Sequence, residues 1–139
     1  MKKVLSFILA MGVILSAGIF VGCKNKKTTS AENFTFTYVL ESATKTDVNE
    51  ESNIKLNLSV KNDKNEENTL LASKFTLKQQ NKVVSTSAFL GNDQANKKDN
   101  EKFDAMKTCD VVLNFVTPKT LTGECELFYG ETKLFIVNL

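Results

Sequence analysis

The chain has no histidine, no arginine and no tryptophan, and a single proline, among 139 residues. Each gap removes a class of chemistry. Without histidine there is no imidazole to act as general base, to complete a catalytic triad or to ligate most transition metals. Without arginine there is no planar fork for bidentate recognition of phosphate or carboxylate, and every fixed cation is a lysine. The formal charge of +2 comes from 18 lysines against 16 acids, and Lys2 and Lys3 account for the excess. From residue 23 onward the chain is formally neutral, so it lacks the dominant positive field that nucleic acid binding needs. Glycine-rich phosphate loops, Cys-x-x-Cys pairs and nucleophile-elbow serines are also missing.

Charge is absent from one long run as well. After Lys2 and Lys3, nothing from Val4 to Gly22 is charged, and the run is 19 residues long. That is long for a signal-peptide core and just enough to span a bilayer as a helix. Lysines flank both ends, so charge alone does not orient it. At its end stands Phe20-Val21-Gly22-Cys23, followed by Lys24, Lys26 and Lys27. This tetrad resembles a bacterial lipobox, with Phe20 in place of the usual leucine and Gly22 as the small residue before the cut. The resemblance implies cleavage before Cys23 and diacylglyceryl attachment to its thiol. Two acyl chains on one residue anchor a protein where one chain is marginal. The competing reading is an uncleaved membrane helix with an incidental cysteine. Residues 1–22 are therefore expected to be a lipoprotein signal peptide, and the remainder to sit on the extracytoplasmic face of the cell membrane.

Residues 23–32 lack large apolar side chains after Cys23 and are expected to form a flexible tether. Residues 33–139 suit one domain with one core. Here alternation with period two dominates. Phe34, Phe36, Tyr38 and Leu40 share one face, and Ile54, Leu56, Leu58 and Val60 alternate with Lys55, Asn57, Ser59 and Lys61. Further strands are expected at 73–79, 83–89, 109–116, 124–129 and 133–138, with one short turn of helix near 98–105. Gly130-Glu131 fits a two-residue type II′ hairpin. It would set Tyr129 opposite Thr132, Leu127 opposite Leu134 and Cys125 opposite Ile136. About seven short strands with polar loops and little helix predict an all-β, antiparallel β-sandwich.

Val60-Lys61-Asn62, Phe75-Thr76-Leu77 and Phe115-Val116-Thr117-Pro118 occur in an order that resembles the small immunoglobulin-like domains of Gram-positive lipoproteins and secreted proteins. These families are largely of unknown function, so the resemblance implies an immunoglobulin-like fold and brings no active site.

Few residues remain for chemistry. Cys109 and Cys125 both point towards the core in their predicted strands. A disulfide between them would add about 3 kcal/mol in the chain-entropy model, and the alternative is two separate buried thiols. Activation of either as a nucleophile would need a base the chain does not contain. The acidic stretches 47–52 and 62–68 carry oxygen ligands of the kind calcium takes, without the calcium-loop spacing. Residues 91–103 form a long polar connection, the first choice for a recognition surface on a rigid scaffold. Phe135, in a last strand apolar on both faces, is expected under a loop or at an interface. The function expected is a lipid-anchored envelope module binding a protein or wall ligand, with no cofactor, no metal and no nucleic acid, and not an enzyme. The alternatives are a hydrolase working through paired carboxylates and a passive structural or immunity-type surface lipoprotein.

Overall fold

The clean alternation of residues 53–62 reappears as the middle of a sheet. In the computed structural model, which describes residues 19–20, 29–85 and 87–139, β4 (Glu51–Asn62) buries Ser52, Ile54, Leu56, Leu58, Val60 and Asn62 and leaves the intervening residues outward. On one side it pairs with β3 (Phe36–Val48), on the other with β10 (Thr108–Pro118). β2 (Thr29–Glu32) and β8 (Ser87–Leu90) complete a five-stranded sheet in the order β2-β3-β4-β10-β8. The second sheet runs β1-β12-β11-β6-β7, from β1 (Ile19–Phe20), β6 (Phe75–Gln79), β7 (Lys82–Val83), β11 (Glu124–Tyr129) and β12 (Thr132–Asn138). β5 (Asn68–Leu71) and β9 (Asn100–Phe103) form a separate two-stranded ribbon. All pairs are antiparallel except β1 with β12. Two single turns of 3₁₀ helix, Ala72–Lys74 and Gln94–Asn96, are the only helical elements among the described residues.

The fold is an all-β sandwich whose sheets meet through rings. Tyr38 of the first sheet lies 6.3 Å from Phe75 and 5.9 Å from Tyr129 of the second, centroid to centroid. Phe36 packs edge-on against Phe103 of the ribbon at 5.5 Å. Such tilted and edge-to-face pairs add about 0.5–1.5 kcal/mol each beyond the area they bury. Both tyrosine hydroxyls are satisfied: Tyr129 accepts from the Leu71 amide at 3.1 Å, and Tyr38 from Asn33 Nδ2 at 2.8 Å. Burial raises both phenol pKas; the neighbouring Tyr129 pushes Tyr38 further up and the Asn33 bond opposes.

Several expectations need correction. Phe34 does not join the inward row: it is 86% exposed, outside β3, with the Lys64 ammonium 3.6 Å above its ring. The stretch near 98–105 is strand, not helix, because residues 100–103 find the edge of β5. The last part of the expected tether, Thr29–Glu32, pairs with β3, and Ala31 is buried there. The expected single strand at 83–89 divides into β7 and β8, one in each sheet. In the last hairpin Gly130 has φ +61°, and Tyr129 faces Thr132 as expected. A bulge between Leu127 and Phe128 then shifts the register, so Leu127 meets Phe135 and Cys125 meets Val137. The shift lets Leu134 and Phe135 both be buried, which resolves the apolar character of both faces.

Candidate functional site

The outer face of the first sheet is not flat. Registers place Thr46, Asn53 and Val116 in one outward row, and Thr44, Lys55, Asn114 and Phe89 in the next. Beside them the chain after β8 turns at Gly91 and rises as Asn92, Asp93 and Gln94. At one end the β3–β4 hairpin contributes Val48, Asn49 and Glu50. Together these residues line an open groove of about 730 Å³, within the ~300–1,000 Å³ range of small-ligand sites.

The floor is held by a chain of amides. Asn53 Nδ2 donates to Asn114 Oδ1 at 2.9 Å, and Asn114 Nδ2 donates to the Gly91 carbonyl at 2.6 Å. Asn114 is only 1% exposed, and Phe89 beside it only 5%. A buried carboxamide with its partners in place is rigid, and this one ties two strands to the wall loop. The wall is ordered in its own right. Asp93 caps the 3₁₀ turn, its Oδ1 accepting from the Asn96 amide at 2.9 Å and from Asn96 Nδ2 at 3.0 Å. Leu90 and Lys98 exchange two backbone hydrogen bonds, and Gly91 donates to the Val112 carbonyl at 2.8 Å. Of the 91–103 connection, expected as a recognition surface, Asn92, Asp93 and Gln94 line the groove, and this part is a clamped wall and not a free loop.

The residues singled out in the sequence fall in three places. Cys23 lies outside the described residues. Cys109 and Cys125 are both free thiols, so of the two readings the disulfide is not formed and the separate thiols are what the structure has. They belong to different sheets and different ends. Cys125 is buried near enough to Lys45 for that charge to oppose the upward push of burial on its thiol. Lys45 is level with Ile54, which faces Phe115, and Cys109 lies six residues away along β10. At about 3.3 Å per residue Cys109 lies about 20 Å along β10 from Phe115, towards the opposite end of the sandwich from Lys45.

The acidic stretches have structural employment. In 47–52 the Ser52 hydroxyl donates to Asp47 Oδ1 across a tight hairpin turn at Asn49, which has φ +58°. In 62–68 the buried Asn62 closes the loop, donating to the carbonyls of Glu66, Phe103 and Asp104 and accepting from the Lys64 amide and Asn68 Nδ2. Among the described residues, no group of three or more Asp, Glu or Cys side chains converges as a metal site would require. No helix among the described residues is long and apolar enough to cross a membrane. Tyr38, Tyr129 and Cys125, the groups whose pKas burial raises, lie in the core and not in the groove.

Thr44, Asn53, Asn114 and Phe89 were not anticipated as site residues. One signal pointed to them. In Val111-Val112-Leu113-Asn114-Phe115-Val116 both faces of the strand are apolar, with one carboxamide on the outer side, and such a strand is covered on that side as well.

No protein-family model matches the chain, and no curated protein does either. Solved structures share its fold. A candidate lipoprotein (ycdA) of Bacillus subtilis superposes with a TM-score of 0.59 at 21% identity, over 80% of this chain and 38% of that one. A functionally unknown protein of Listeria monocytogenes superposes with a TM-score of 0.53 at 16% identity, over 73% of this chain and 69% of that one. The chain therefore spans less than two fifths of the Bacillus protein's length, and at these identities the likeness is one of fold.

Proposed function

We propose that the protein is a binding module of the bacterial cell envelope, anchored through a diacylglyceryl group on Cys23 and holding its ligand in the groove of its immunoglobulin-like sandwich. The observation that carries the reading is the groove floor, where the Asn53–Asn114–Gly91 chain fixes side-chain amides in place before any ligand arrives. Preorganised polar groups on rigid strands are what a recognition site requires, because little ordering entropy remains to be lost on binding. The lipobox resemblance at Phe20–Cys23 and the solved lipoprotein of the same fold support the anchoring. Binding is favoured over hydrolysis because the chain offers no imidazole and the burial-shifted acids of the core stand away from the groove.

The test is a photo-crosslinking amino acid at Thr46, in the groove, introduced into the full chain in its native host. The reading expects adducts with one envelope component, lost when Asn53 is changed to alanine. Adducts only with bulk lipid, or none, would remove the groove from consideration.

A further inference from the structure

We propose that the groove takes a neutral or amine-bearing glycan, such as a short chain of acylamino sugars, and that it discriminates against polyanions and extended peptides. This rests on the binding-module reading above and gives it a ligand class.

The first argument is what the floor withholds. It is the face of a sheet, and the backbone N–H and C=O groups of β4 and β10 are spent in ladders on both sides. An extended peptide gains affinity by pairing its backbone with an open edge, and β4 and β10 offer none; the stretch of β3 beyond its pairing with β2 lies at the sheet's border, where its outer N–H and C=O groups are aimed along the sheet and away from the groove. What is on offer is side chain: the hydroxyls of Thr44 and Thr46 and the carboxamides of Asn53, Asn92 and Gln94. Hydroxyls and carboxamides each donate and accept. A ligand that uses them fully must do the same at close spacing, as sugar hydroxyls and acylamino groups do. Asn53 is the centre of this set. Asn114 holds its Nδ2, while its Oδ1 accepts no hydrogen bond from the described residues. Asn114 is a positioning residue here, with both ends of its own amide committed.

The second argument is apolar surface. Val116 in the floor and the exposed Val48 at the rim give the C–H faces of a ring something to cover, which a purely polar site would lack.

The third argument is charge. Glu50, Glu51 and Asp93 line the groove against one cation, Lys55. An acidic rim repels a phosphate-bearing polymer and tolerates a neutral or amino sugar, which is discrimination by penalty as well as by fit.

The experiment is calorimetric titration of the full chain in detergent with three probes: the tetramer of N-acetylglucosamine, its de-acetylated glucosamine counterpart, and poly(glycerol phosphate). At least one sugar tetramer is expected to bind and the polyphosphate to bind at least tenfold more weakly. Asn53→Ala should weaken the sugar at least tenfold. Thr46→Trp, on an exposed position where folding is not at risk, should block it. Phe34→Ala, outside β3 beyond its far end, should leave it unchanged. Tighter binding of the polyphosphate, or sugar binding indifferent to both groove variants, overturns the proposal. If no sugar binds while Thr46 still crosslinks one envelope protein in cells, the glycan class is wrong and the binding-module reading stands. If neither occurs, both fall.

Discussion

At the scale of single residues, one group among the described residues of the core works against the fold. The Thr117 hydroxyl is wholly buried and has no hydrogen-bond partner among the described residues. A buried hydroxyl without a partner costs about 1–3 kcal/mol. Thr117→Val keeps the shape and removes the polar atom, so it should raise unfolding stability by about 1 kcal/mol, read as a higher urea midpoint at unchanged slope. A lower midpoint would mean that the hydroxyl is bonded after all. The buried phenols and thiol make a second residue-scale prediction. Tyr38, Tyr129 and Cys125 all have pKas raised by burial from ordinary values of 10.0, 10.0 and 9.0. An acid whose folded pKa is raised keeps its proton in the native state after the unfolded chain has lost it. The stability it contributes is therefore complete below the unfolded pKa and is lost as pH rises above it. Denaturation midpoints are expected to be insensitive to these groups up to about pH 9 and to fall beyond it. Tyr38→Phe should make the alkaline limb shallower, and an equally steep limb in that variant would remove Tyr38 from the account.

At the scale of elements, two glycines with positive φ separate strain from space. Gly130 has φ +61° and nothing within 4 Å of where a Cβ would stand, so Gly130→Ala should cost only the backbone penalty, about 1–2 kcal/mol. Gly91 has φ +117°, and a Cβ there would lie 2.4 Å from the Asn96 carbonyl oxygen, which belongs to the groove wall. Gly91→Ala should therefore cost more than Gly130→Ala in thermal unfolding and also displace Asn114, whose amide rests on the Gly91 carbonyl. Equal effects would show that the wall loop yields freely. The same contrast explains what could be read in advance. Strands that bury one face, such as β4 and β11, announce themselves by alternation. The upper half of β3, from Ser42 to Val48, could not be read that way: only Ala43 and Val48 are apolar, and nothing in that half is fully buried. Its strand character comes from pairing with β4. β5 and β9 are each four residues long and depend on one another, so neither pattern suffices alone. The groove was harder still. Its residues stand on β3, β4, β8 and β10 and in the 91–94 wall, and only the registers between strands bring them into rows. Even the last hairpin was legible at its turn and lost its register two residues later, because nothing local encodes a bulge that is set by burying Leu134 and Phe135 together.

At the scale of the whole molecule, the proposed anchor at Cys23 would limit where the groove can work. Five residues, Lys24 to Thr28, separate Cys23 from the start of β2. Fully extended, the six Cα steps from Cys23 to Thr29 reach about 20 Å. β3 alone has 13 residues and is about 44 Å long. Thr29 is opposite Leu40, and Val48 at the groove's end lies eight residues further along β3, so a lipid at Cys23 would keep the groove within about 46 Å of the headgroups, leash and strand together. The chain from Cys23 onward is also formally neutral, so no strong field lifts it from an anionic surface or presses it there. Geometry alone then sets the distance, which makes it measurable. With a fluorophore at Gln94→Cys on the groove wall and an acceptor in the headgroups of neutral vesicles, energy transfer from the lipidated chain should be strong. It should fall when about 30 Gly/Ser residues are inserted after Thr28, because a flexible chain of that length adds about 30 Å of mean reach. Transfer unchanged by the insertion would mean that the domain adheres to the bilayer through its own surface. If the intact mass of the membrane-extracted chain began at Met1 with an unmodified Cys23, a membrane helix would hold the domain instead. The leash would then be measured from the end of that helix, and the same insertion would still report how far the groove can reach.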